Sequence, residues 1–241
     1  MLKLEKVTGG YANIPVLKNI SFTINDGELV GLIGLNGAGK STTINEIIGL
    51  LTPYQGQITI DGLSLAQNPE DYRKKIGFIP ETPSLYEELT LREHIELMAL
   101  AYGMSTEVVM ERAQRLLQIF RLQDRLDWFP VNFSKGMKQK VMIICAFIVN
   151  PSLLIVDEPF LGLDPVAIQD LTDLLAEEKT KGTSILMSTH VLDSAEKMCD
   201  RFVILHHGEI KAEGNLEELR QAFAMPEASL NAIYLRLTEE A

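Results

Sequence analysis

The run Val30-Gly31-Leu32-Ile33-Gly34-Leu35-Asn36-Gly37-Ala38-Gly39-Lys40-Ser41-Thr42-Thr43-Ile44-Asn45-Glu46-Ile47 sets a GxxxxGK[ST] pattern between an apolar stretch and a helical one. Leu29 to Ile33 reads as a buried strand, and Ile44, Ile47 and Ile48 recur at helical spacing behind the loop. Glycines at 34, 37 and 39 let consecutive N–H groups converge on phosphate oxygens, with Leu35, Asn36 and Ala38 completing the cradle. The helix start adds its partial positive charge at the same place. Lys40 supplies a mobile cation near the transferable phosphate of a nucleotide. Ser41 offers a hydroxyl to nucleotide-bound Mg²⁺, and Thr42 helps from the first helical turn.

Outward from this loop, Leu2, Leu4 and Val7 open a strand, and Leu17 to Ile24 alternates as a half-buried strand does, so an antiparallel β lobe begins the fold. Gly56 to Asp61 is a further short strand with Asp61-Gly62 as its turn, and Ile76 to Ile79 is a buried strand stopped by Pro80. From Thr90 to Arg125 the period becomes helical, carried by Leu91, Ile95, Met98 and Tyr102 and then Val109, Ala113, Leu116, Leu117 and Phe120. Leu153 to Val156 and Ser184 to Met187 are continuous apolar strands of the kind that parallel sheets bury on both faces. Strands alternating with helices around a phosphate loop make this an α/β fold.

The 241 residues, 46% hydrophobic, are enough for one domain with an inserted subdomain and too few for two nucleotide-binding domains. The longest apolar stretch, Val141 to Val149, is about half of the roughly 20 residues a membrane helix needs, and the chain is expected to be soluble and cytosolic. Cys145 and Cys199 read as reduced core or near-core thiols. A net charge of −11 argues against nucleic acid as a partner.

Three elements narrow the chemistry. Leu153 to Val156 ends in Asp157, Glu158 and Pro159, and because strand neighbours point to opposite sides, one acid can serve hydrated Mg²⁺ while the other orients an attacking water. Ser134 reads as the N-cap of the helix carrying Val141 to Val149, with Gly136 allowing close backbone approach at an anion-attracting helix start. His190 closes the strand Ser184 to Thr189 on the same edge as the acids, a place for a γ-phosphate sensor. His94 on a helix and His206-His207 in a turn read as structural.

In order and spacing these residues resemble the ATP-binding subunit of an ATP-binding cassette (ABC) transporter, from Leu2 to about Gly214. Gly34 to Ser41 resembles Walker A, Leu153 to Glu158 Walker B, Ser134 to Met137 the signature, Leu161 to Asp164 the D-loop and His190 the switch histidine. Tyr11, ahead of the β lobe, resembles the aromatic that stacks on adenine. The phrases around Pro80-Glu81, Phe133 to Lys140 and Asp157 to Pro165 look closest to Ecs-type ATPase subunits. The resemblance implies a P-loop NTPase core with a mostly parallel sheet, the core and β lobe spanning about 1–80 and 152–214. A helical subdomain at about 82–151 and a C-terminal helical extension at about 215–241 complete the single domain.

What the resemblance further implies is an ATP- and Mg²⁺-dependent ATPase driving a membrane-embedded permease, an exporter by the Ecs-like phrases. The chain would be cytoplasmic, peripheral on the inner face of the membrane through that permease alone. Two copies would pair head to tail, each ATP lying between Walker A of one and Ser134, Gly136 and Asp164 of the other. Lys40, Glu158 and His190 would be catalytic, and Ser41, Glu81 and Asp157 would face the metal. Glu81 departs from the family's usual Gln, and Met137 stands where Gln commonly ends the signature, its polar contact passing to Lys138 or Gln139. Leu85, Tyr86 and Leu89 would meet the permease. The C-terminal stripe Leu230, Ile233, Tyr234 and Leu237 is expected to pack on the sheet lobe, with a dimer contact as the alternative. Competing readings are a soluble ABC ATPase without a membrane partner and a nucleotide-gated regulatory module.

Overall fold

The computed structural model describes residues 1–239, so the last two positions of the expected C-terminal extension lie outside the described residues. Two sheets form. The first is antiparallel, ordered β2 (Ile14–Ile24), β1 (Leu2–Tyr11), β4 (Gln55–Ile60), β5 (Leu63–Ser64). The second has six strands in the order β10 (Glu209–Gly214), β9 (Arg201–His206), β3 (Leu29–Ile33), β8 (Ser184–Thr189), β7 (Leu153–Asp157), β6 (Ile76–Ile79), with β10 alone antiparallel to its neighbour. The expected β lobe and mostly parallel sheet are both present.

The alternation read along β2 holds with one interruption. Leu17 is buried, then the next buried residue is Ile20, because Asn19 takes a left-handed φ of 55° and gives its N–H to Thr8 Oγ1 at 3.0 Å. One extra residue on β2 thus shifts the register against β1, and the face recovers at Phe22 and Ile24.

Each strand of the six-stranded sheet divides its side chains between two cores by the two-residue period. Val30 and Leu32, Leu153 and Ile155, Leu186, and Val203 and Leu205 face the antiparallel sheet together with α1 (Lys40–Ile47) and α2 (Pro69–Lys74). Ile33, Leu154 and Val156, Ile185 and Met187, and Phe202 and Ile204 face the other core. That core takes in α3 (Leu91–Tyr102), α4 (Thr106–Ile119), α5 (Lys135–Ile148), α6 (Pro165–Thr180), α7 (Leu192–Met198), α8 (Leu216–Ala222) and α9 (Leu230–Glu239). The helical period expected from Thr90 onward is broken at Gly103, whose left-handed backbone caps α3 and separates it from α4. Residues Leu230, Ile233, Tyr234 and Leu237 of α9 are buried beside α7, so the C-terminal stripe serves an internal contact. No helix among the described residues is long and apolar enough to cross a membrane.

Cys145 and Cys199 are free thiols, and burial raises both above the usual range, Cys145 to about 12. His94 is satisfied within the fold, its Nε2 accepting the Tyr86 N–H at 3.0 Å and its Nδ1 lying 2.8 Å from Thr90 O.

Among the described residues the interior is well matched except at Gln139 Oε1 on α5 and at Glu46 on α1. Glu46 is 2% exposed, both carboxyl oxygens lack hydrogen-bond partners, and burial pushes its pKa from 4.5 to about 7. The unfolded chain releases this proton near pH 4.5, whereas the folded chain holds it to about 7. Folding stability therefore falls as pH rises through that window and levels off above it, by on the order of 3 kcal/mol for the full shift. Glu46→Gln should flatten the stability profile between these pH values and exceed the parent in stability at pH 8 by about 1–3 kcal/mol. Urea unfolding at pH 4.5, 6 and 8 checks this, and an unchanged slope with pH would assign the titration elsewhere.

Candidate active site

Four adjacent parallel strands, β3, β8, β7 and β6, end at the same edge. Their register pairs Ile33 with Thr189, Asp157 with Ser188, and Val156 with Ile79, so the residues that follow each strand line up across the sheet. Beyond β3 comes the phosphate loop. It encloses a hollow of about 280 Å³ lined by Val16, Leu35, Asn36, Gly37, Gly39, Lys40, Ser41 and Thr42. Gly39 precedes α1 with φ 114°, a conformation that a Cβ resists, and so turns the first helical N–H groups toward this hollow. Lys40 is 8% exposed, and its Nζ donates to Gly34 O at 2.6 Å and to Leu35 O at 3.5 Å. The β9–β10 turn braces the loop from the antiparallel side: Gly208 N–H donates to Ala38 O at 3.0 Å, while Gly208 O accepts from Lys18 N–H at 2.8 Å.

The acids sit two strands further along, on β7 beyond β8. Asp157 accepts a hydrogen bond from the Ser188 hydroxyl, and Glu158 gives its N–H to Ser188 O at 3.1 Å. Glu158 has φ 46°, an uncommon conformation for a residue with a side chain, which costs roughly 1 kcal/mol and must be held by its surroundings. Its buried carboxylate meets His190, whose Nδ1 lies 2.9 Å from Glu158 Oε1. Burial raises the Asp157 pKa, the charges of Glu158 and Glu81 push the same way, and the Ser188 hydroxyl and Lys40 oppose them. Lys40, Glu81, Asp157, Glu158 and His190 are therefore one electrostatic neighbourhood.

Ser134, Gly136 and Asp164 form a second group. Ser134 Oγ accepts Met137 N–H at 3.2 Å and caps α5. Asp164 caps α6, accepting Ala167 N–H at 2.9 Å, and its other oxygen lies 2.9 Å from Lys140 Nζ; these contacts hold its carboxyl below the usual range. Gly136 lies against the D-loop, so near that a Cβ on it would fall 2.5 Å from Gly162 O. Among the described residues none of the three hydrogen-bonds the phosphate loop of its own chain.

Two expectations need correction. Tyr11 does not precede the β lobe; it is the last residue of β1 inside it, 48% exposed, its hydroxyl accepting from Asn45 Nδ2 of α1 at 3.3 Å. Gln139 cannot supply the polar group that Met137 lacks, because its side chain is fully buried and donates inward to Pro80 O at 3.0 Å, just before Glu81. Ser188 is a site residue that the sequence presents only as part of an apolar strand. The available signal is a hydroxyl two residues before His190, and its partners become visible only through strand pairing.

The sequence profile of the ABC transporter family matches residues 17–161. The chain is 57% identical over 240 residues to the ABC-type transporter ATP-binding protein EcsA of Bacillus subtilis (strain 168), covering 100% of this chain and 97% of that one. It is 37% identical over 213 residues to the Nod factor export ATP-binding protein I of Rhizobium meliloti (strain 1021), covering 88% of this chain and 64% of that one. Among solved structures, an ATP-binding subunit of an ABC transporter superimposes with a TM-score of 0.96 at 54% identity, covering 99% of both chains. A dimeric ATP-binding cassette in a post-hydrolysis state bound to ADP and Pi matches with a TM-score of 0.80 at 31% identity, over 90% of this chain and 99% of that one.

The Gly136 contact gives a prediction whose sign separates two effects. Helix propensity alone favours alanine over glycine by up to about 1 kcal/mol, whereas a Cβ here meets a backbone oxygen that cannot swing aside. Gly136→Ala should lower stability in denaturant unfolding by about 1–2 kcal/mol net. A stabilised variant would mean that the D-loop yields freely.

Proposed function

The chain belongs to the ABC transporter family as an ATP-binding subunit and ATPase, and from that premise we propose that it works as a head-to-tail dimer on an integral membrane permease, in the direction of export. The observation that carries the catalytic part is the line of Lys40, Asp157, Glu158, Glu81 and His190 along one sheet edge, with Glu158 held by Ser188 and His190. Support for the dimer comes from Ser134 and Gly136, which among the described residues make no hydrogen bond to the phosphate loop of their own chain, and from the dimeric relative with ADP and Pi. The export direction rests on the likeness to the Nod factor export subunit and the Ecs-type phrases. In this reading the protein is cytoplasmic and reaches the membrane only through the permease.

Mg²⁺ suits the donors present. Ser41, Asp157 and Glu81 offer hard oxygens, and the upward pressure on Asp157 from its acidic neighbours is what a cation would relieve. When bound, Mg²⁺ neutralises charge that develops on the transferring phosphoryl group. The chain's own residues do the rest. Lys40 exchanges the neutral carbonyls of Gly34 and Leu35 for phosphate oxygens, a stronger charge-assisted pairing. Glu158 is the carboxylate that positions and polarises the attacking water, and His190 fixes its rotamer before turning to the γ-phosphate. Tyr11 offers an exposed ring to adenine.

Binding of ATP across both members joins them, and loss of the γ-phosphate releases the join; the nucleotide shifts the open–closed balance by its affinity difference between the two states. Glu158→Gln should keep ATP binding while lowering phosphate release by about 10²–10⁴-fold; unaltered turnover would move water activation to another group. Glu81→Gln should retain measurable ATPase activity, since an amide oxygen can also face hydrated Mg²⁺. A folded, ATP-binding but inactive Glu81→Gln protein would show that the carboxylate charge itself is needed.

A further inference from the structure

The second residue of the phosphate loop is tied to the far end of the chain. Leu35 N–H donates to Tyr234 Oη at 2.7 Å, and Tyr234 sits on the buried face of α9. The Leu35 N–H and the Gly34 carbonyl belong to one planar peptide group, which holds them on opposite sides of the chain. Tyr234 therefore grips one edge of that plane while Lys40 Nζ grips the other at 2.6 Å. Next along the chain, Leu35 O accepts Ala38 N–H at 3.0 Å. The resting position of Lys40 and the entry to the phosphate hollow thus depend on how this one plane is set. The start of α9 is also fixed: Leu230 N–H donates to Glu196 Oε2 at 2.7 Å, and Glu196 lies on α7, which follows His190. Helix α9 connects the segment behind the switch histidine to the loop that receives phosphate.

We infer that Tyr234 is a positioning residue for nucleotide binding, and that its hydroxyl, presented by α9, sets the affinity of the site by holding the Gly34–Leu35 peptide in place. This rests on reading Gly34 to Thr42 as the ATP site. The contact does not include the acids on β7 or the histidine after β8, and in the proposed bound state Lys40 has left the Gly34 carbonyl for phosphate, so the effect falls on binding and not on the chemical step.

Full-length wild type, Tyr234→Phe and Leu237→Ala are compared by titration with a fluorescent ATP analogue, by steady-state ATPase kinetics with Mg²⁺-ATP and by thermal unfolding. Phenylalanine keeps the buried ring and removes only the acceptor. Loss of one partly buried hydrogen bond should raise Kd and KM about three- to tenfold, with kcat within about twofold. Leu237 lies three residues beyond Tyr234 on the same buried face of α9 and carries no polar group to hold the loop peptide. Leu237→Ala should lower Tm by several degrees and leave Kd within about twofold. Equal Kd values for wild type and Tyr234→Phe would overturn the inference, and so would a Leu237→Ala protein as weakened in ATP binding as Tyr234→Phe. Hydrogen exchange over residues 33–39 without nucleotide adds an independent reading: faster exchange in Tyr234→Phe supports the tether, unchanged exchange refutes it. A wild-type chain that binds no ATP would instead remove the nucleotide reading of the loop.

Discussion

The backbone register of four parallel strands is the constraint on which the site depends. Parallel neighbours exchange evenly spaced hydrogen bonds, so their carboxyl ends finish at one level and whatever follows them emerges side by side. Ile33 beside Thr189, Asp157 beside Ser188 and Ile79 beside Val156 leave Gly34, His190, Glu158 and Pro80 next in line. A slip of one residue in β7 would exchange the directions of Asp157 and Glu158 and send the wrong acid to His190. The apolar side chains that divide between two cores oppose that slip, because β7 would have to exchange Leu153 and Ile155 with Leu154 and Val156 between them.

Much of this is legible in the linear chain wherever the deciding signal is local. The phosphate loop declares itself through glycine spacing between a strand and a helix, and the buried strands through unbroken apolar runs ending in Asp157 and His190. Ser134 caps its helix through a bond to a residue three positions on. Helix α2 is also within reach, since Asn68 accepts Asp71 N–H before Pro69 at the first helical position, but its six residues carry too little periodicity to stand out. The features that sequence does not disclose depend on partners far along the chain. Ser188 meets Asp157 only through the pairing of β8 with β7, Gln139 turns inward to the Pro80 carbonyl, and Tyr234 meets Leu35 across 199 positions. Periodicity marks Tyr234 as buried but is silent on where its hydroxyl goes.

The signature and D-loop segments are built into one another before any second subunit is considered. Gly136 abuts Gly162, and Lys140 of the same helix pairs with Asp164. The caps of α5 and α6 are thereby fixed together, so that a push on one is felt by the other. Gln139 extends the connection inward to Pro80, adjacent to Glu81. Helix α5 accordingly touches the D-loop on one side and the Pro80–Glu81 segment on the other, a contiguous set of contacts between the two groups of candidate site residues.

The bracing of the phosphate loop has a thermodynamic corollary. Gly208 supports Ala38 from the antiparallel side, and the C-terminal helix supports Leu35 from below, so a glycine-rich arch that would otherwise wander is already fastened. Its ordering entropy is discharged when the chain folds and is not subtracted again when a ligand arrives. More of the free energy of capturing a triphosphate then remains for the work that binding drives, which under the dimer proposed above is the joining of two cassettes.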